Sequence, residues 1–130
     1  VFDTSKSVDK HLLSEFINEF ESLLFSINYK EVHAVSCSNE IMNPQIFKKG
    51  ERIVYEPHGS QNTAFSPVFE YMQGLQNYPA CLIYFTDLGS DDFGRPPSCP
   101  VLWIGDYKDG WEEAHRERIP FGQVVSMHGC

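Results

Sequence analysis

The sequence predicts an α/β fold: a central, mostly parallel sheet flanked by helices, with one antiparallel edge strand. Three observations predict it. Residues 81–85 and 101–104 are almost continuously apolar, as strands are when a parallel sheet is covered on both faces. Residues 9–27 and 68–78 repeat apolar side chains at three- and four-residue steps, the spacing of a helix with one buried face. Strand-like and helix-like segments also alternate along the chain, which is the pattern of a layered α/β domain.

Val1 and Phe2 form the end of a first strand, and residues 3–7 (D-T-S-K-S) form the turn after it. The helix over 9–27 carries Leu12, Leu13, Phe16, Ile17, Phe20, Leu23, Leu24 and Ile27 on one face, with Glu15, Asn18, Glu19 and Glu21 between them. Ser7 or Asp9 can cap it. Its Phe/Leu stripe reads as core packing rather than as a groove for a partner. Residues 31–38 (E-V-H-A-V-S-C-S) alternate and are β-branched, so they form a strand in which His33 is a satisfied strand residue. Residues 39–44 read as a turn. Residues 45–47 and 52–55 (R-I-V-Y) read as the two arms of a hairpin-like excursion, with the antiparallel edge strand near Ile53. Residues 57–62 form a loop. The helix over 68–78 has Pro67 near its first turn, where a missing N–H costs nothing, and Ser66 as its cap. The strand over 81–87 ends in the carboxylate of Asp87, and 88–98 is a long polar loop. A buried strand at 101–104 follows. Residues 105–118 are charged and irregular, a short helix or an exposed flap, and 121–127 is the last strand.

The 130 residues suit one domain, and 42% hydrophobic and 14% aromatic content is ample for a packed core. The formal net charge of −8 would repel phosphate backbones, so nucleic acid is not an expected partner. No apolar run is long enough to span a bilayer, and no membrane partner is expected. Cys37, Cys81, Cys99 and Cys130 show no C-x-x-C spacing, and no H-E-x-x-H is present. Cys37 and Cys81 fall in strand-like apolar runs, where a reduced, buried thiol is the expected state. A reducing compartment, the cytoplasm, is therefore expected. The chain has no initial Met, and its first strand starts two residues before its loop. The expectation is a single domain over 1–130, a fragment of a longer protein whose N-terminal region is missing.

Residues 3–7 carry the most chemistry. Asp3, Ser5 and Ser7 place a carboxylate and two hydroxyls at alternate positions of a strand–helix turn. Hard divalent cations take such oxygen ligands, although Asp and Ser are also ordinary helix caps. In a mostly parallel sheet, ligands bind at the carboxyl ends of the strands, near the switch in strand order. Asp3 ends one strand, Asp87 ends another, and Thr63 precedes a helix, so all three are expected at that edge. Asp91 and Asp92 could complete a second cation site with Asp87, but a solvated acidic loop is the expectation.

Five blocks in order, D-T-S-K-S, N-T-A-F-S-P-V-F-E-Y, L-I-Y-F-T-D, P-V-L-W-I and P-F-G-Q-V-V, resemble a von Willebrand factor A (VWA)-like domain. More narrowly, they resemble the VWA-like C-terminal half of a family of predicted metal-dependent peptidases. The resemblance extends through essentially the whole chain. It implies a Rossmann-like sheet and a metal-ion-dependent adhesion site (MIDAS) at its upper edge. Asp3, Ser5 and Ser7 match the first loop of that site, Thr63 the threonine of its second loop, and Asp87 the acidic residue of its third. The cofactor implied is Mg²⁺ or Mn²⁺, with neutral hydroxyl ligands leaving the cation free to accept a carboxylate from a partner. That partner would be another protein or an upstream domain of the same protein, bound through an acidic side chain. The chain departs from the family pattern at Lys6, where relatives have Gly, and at residues 61–64 (Q-N-T-A), where relatives have G-G-T-D or similar. The family's zinc motif would lie upstream, and nothing in this chain supplies a catalytic constellation. Three functions are therefore expected to compete: a metal-ion-dependent protein-interaction module, an accessory structural domain with a decayed site, and part of a peptidase.

Overall fold

The computed structural model describes residues 1–59, 64–76, 78–107, 110–111 and 115–127. Six strands and two α-helices follow in the order β1 (Phe2–Asp3), α1 (Lys10–Ser26), β2 (Glu31–Cys37), β3 (Ile41–Lys48), α2 (Ser66–Gln73), β4 (Leu82–Phe85), β5 (Val101–Gly105) and β6 (Gln123–Ser126), with a 3-10 helix at Arg116–Arg118. They form one sheet in the spatial order β3-β2-β1-β4-β5-β6. Every pairing is parallel except that of β2 with β3. The architecture is the expected α/β one, Rossmann-like with one antiparallel edge strand. Successive strands are laid outward from β1 in opposite directions. The switch in strand order therefore lies between β1 and β4, the position beyond whose carboxyl ends ligands bind in open α/β sheets.

Each face of the sheet packs against one helix. Phe16 and Phe20 of α1 meet Phe2, Ala34, Phe85 and Ile104. Phe2 is the hub, with ring centroids 5.3 Å from each of Phe20, Tyr55 and Phe85. On the other face, Val68, Phe69 and Met72 of α2 pack with Phe65, Tyr84, Phe93 and Trp103. Aromatic pairs at such distances add to their area burial. Asp9 caps α1, its Oδ1 accepting the Leu12 N–H at 2.8 Å.

Several local expectations are corrected. The antiparallel edge strand is Ile41–Lys48, not the segment near Ile53. Its Asn-Pro pair does not make a turn. The register slips between Ala34 and Ser36, Asn43 is left-handed at φ 44°, and Pro44 sits in the resulting bulge, where an edge strand tolerates a missing donor. Residues 52–55 pair with no strand among the described residues. Their alternation reflects one-sided burial instead, because Tyr55 turns in to stack on Phe2 while Val54 is 69% exposed. Ser66 lies inside the first turn of α2 rather than capping it, and that helix stops at Gln73, short of residue 78. Cys81 is exposed, because β4 starts one residue later, whereas Cys37 is buried as expected.

Candidate functional site

The β1–α1 loop leaves the sheet at the switch point and is held by hydrogen bonds within itself and to remote parts of the chain. Asp3 is fully buried. Its Oδ1 accepts the Ser5 N–H at 2.9 Å, and its Oδ2 accepts the Thr86 hydroxyl at 2.5 Å. The Ser5 and Ser7 hydroxyl oxygens lie 3.2 Å apart, and the Val8 N–H closes the turn on the Ser5 carbonyl at 3.1 Å. Burial raises the pKa of the Asp3 carboxyl above the usual carboxylate range. The hydrogen bonds from Ser5 and Thr86 oppose that shift, and the nearby charge of Asp87 adds to it. Ser5 is buried, while Lys6 and Ser7 are exposed, so the Lys6 stem leaves the loop toward water.

The β4–β5 loop brings Asp87 to the same edge. β4 runs parallel to β1, with Phe85 opposite Phe2, so Thr86 comes level with Asp3 and Asp87 follows one residue beyond. Gly89 marks how closely the loops approach. A Cβ added there would lie 3.1 Å from Asp87 Oδ1, a tight contact, and 3.6 Å from Ser7 Oγ, an ordinary one, so both oxygens border a single point beside the glycine. Asp87 Oδ1 also accepts the Gly89 N–H at 3.1 Å. Between them Leu88 is left-handed, at φ 56°, with its side chain buried. For a branched residue this conformation costs about 1 kcal/mol or more.

The structure thus brings Asp3, Ser5, Ser7 and Asp87 together. Thr63, the remaining expected ligand, lies outside the described residues. The chain on either side of residues 60–63 is tied to this edge. The Thr4 hydroxyl donates to the His58 carbonyl at 2.7 Å, and the Ala64 N–H donates to the Ser38 carbonyl at 2.7 Å. Gly59 permits the close approach, since a Cβ there would collide with the Thr4 carbonyl. His58 meets the β1–α1 loop with its backbone carbonyl.

Hydroxyl and carboxylate oxygens are the donor set of a hard cation such as Mg²⁺ or Mn²⁺, so the four residues suit one chemically. Among the described residues no group of three or more His, Cys, Asp or Glu could hold a metal, so such a site rests on two carboxylates and its hydroxyls. Asp91 and Asp92 do not join Asp87. Asp91 pairs with Arg118 at 2.8 Å, and Asp92 accepts the Ser66 hydroxyl at 2.7 Å.

Sequence reasoning missed Thr86, Tyr107 and Arg118. Thr86 bridges the two loops, donating to Asp3 and accepting the Leu88 N–H at 2.9 Å. The Tyr107 hydroxyl donates to the Thr86 carbonyl at 2.7 Å. Arg118 donates to the carbonyls of Leu88 and Ser90. A Thr beside the strand-end Asp was a usable signal for the first. Nothing local marks the other two, which act across 21 to 30 residues of chain.

Among the described residues no helix is long and apolar enough to cross a membrane. The family model described as VWA-like domain (DUF2201) matches residues 1–128. Neither a curated protein nor a solved structure matches the chain.

Proposed function

This chain belongs to the family of VWA-like domains, and from that premise we propose that it is a metal-ion-dependent protein-interaction module. Family membership by itself gives an interaction or accessory role. The finer reading is that Asp3, Ser5, Ser7, Thr63 and Asp87 hold Mg²⁺ or Mn²⁺, directly or through water. The ion would supply an open coordination position for a carboxylate from another protein or from an upstream domain. The observation that carries it is the convergence of the Ser7 and Asp87 oxygens on the point beside Gly89, with Ser5 and Asp3 behind them. A glycine there leaves room for a ligand, and the hydroxyls leave the ion's charge incompletely offset.

A second reading, an accessory domain with a decayed site, is favoured by Asp3. Both its oxygens already accept protein hydrogens, so the loop is held without an ion. Calorimetric titration with Mg²⁺ and Mn²⁺ separates the two. Wild type is expected to bind saturably and Ser5→Ala not at all. Lys6→Gly should bind somewhat more tightly, because it removes a cation carried on the loop, an effect that water weakens at this exposed side chain. Absence of binding in all three leaves the accessory reading.

A further inference from the structure

We propose that Arg118 is the positioning residue of the β4–β5 loop, clamping the Leu88 peptide so that the Asp87 carboxylate is set before any cation arrives. The inference rests on the metal-binding reading above. Leu88 directly follows Asp87 and is left-handed, a conformation that a buried leucine keeps only where its surroundings enforce it. Both ends of the residue are gripped. Its N–H donates to Thr86 Oγ1 at 2.9 Å, and its carbonyl accepts Arg118 Nη2 at 2.7 Å. The same guanidinium reaches the Ser90 carbonyl at 3.1 Å and Asp91 Oδ1 at 2.8 Å through Nη1. One planar fork thus fixes two carbonyls two residues apart, which a lysine's single ammonium is poorly shaped to do.

Charge makes the assignment testable. Arg118 is a cation held on the loop of a proposed cation site, so as a bystander it would weaken metal binding through repulsion. Its removal would then tighten binding. As a clamp, its removal loosens Asp87 and weakens binding, and the two roles predict opposite signs.

The experiment measures Mn²⁺ affinity by calorimetry, and amide hydrogen exchange of Leu88 and Gly89 without metal, in wild type, Arg118→Gln, Arg118→Lys and Asp91→Asn. Both Arg118 variants should lose about tenfold or more in affinity, as loss of an outer-shell partner does, whereas Asp91→Asn should change little, since the exposed ion pair is not the grip. In both Arg118 variants the Leu88 and Gly89 amides should exchange at least about tenfold faster while those of β4 and β5 do not. Tighter Mn²⁺ binding in Arg118→Gln, or unchanged exchange at Leu88, overturns the clamp. If wild type binds no Mn²⁺, the metal reading falls, and exchange alone decides the clamp: faster supports it, unchanged overturns it.

Discussion

The two loops that meet at the switch point are built by different means. The β1–α1 loop takes its turn from its own residues, through Asp3 to Ser5, Ser5 to Ser7 and Ser5 to Val8, and is moored to the fold by Thr4, on Cys37 and His58, and by Asp3 on Thr86. The β4–β5 loop has short-range bonds as well, but it is fastened from far away in the chain, by Arg118, by Tyr107 and by Ser66 against Asp92. Thr86 joins the two. A loop with local bonds comes with its geometry written in consecutive residues. A loop with remote bonds takes its geometry from the fold.

The comparison can be broken first from beneath. Phe2 stacks under both loops, on Phe85 and Tyr55. Phe2→Ala should cost about 3–5 kcal/mol, measured by urea unfolding, and should disorder both loops together. Retention of one loop's amide spectrum would show that they do not share a base.

Asp3→Ala comes next, with a loss of about 3 kcal/mol, because it strands the buried Ser5 N–H and removes a charge-assisted bond to Thr86. Asp3→Asn keeps the volume and one acceptor, so it should lose less. Equal stability of wild type and Asp3→Ala would mean that the buried carboxylate contributes nothing net to the loop.

The smallest effect belongs to the remote tethers. Ser66→Ala removes an exposed hydroxyl bond to Asp92 and should cost about 0.5 kcal/mol, with the β1–α1 loop unmoved. A loss as large as that of Asp3→Ala would contradict the distinction between locally and remotely held loops.

The same distinction explains what could be read from sequence. The α1 helix and the D-T-S-K-S turn were legible because period and alternation are local signals, and the cap was narrowed to Ser7 or Asp9, of which Asp9 serves. β4 and β5 were legible because a strand covered on both faces must be apolar throughout. β3 was not, since Asn43 and Pro44 carry turn chemistry that an edge-strand bulge also uses. The 52–55 segment was misread for the complementary reason: alternation reports which side chains are buried, not which backbones pair. Of the candidate site, Asp3, Ser5, Ser7 and Asp87 were legible as strand-end oxygens. Arg118 was not, because its three contacts lie 27 to 30 residues away and no periodicity marks them.

Mn²⁺ paramagnetic broadening, followed amide by amide in wild type, tests the central claim most directly. The account predicts that substoichiometric Mn²⁺ erases the amide signals of Ser5, Ser7 and Gly89 first and spares Leu82 and Val101, where β4 and β5 begin at the other end of the sheet, and that excess Mg²⁺ restores the lost signals. Uniform broadening, or broadening that begins at Leu82 and Val101, would contradict it.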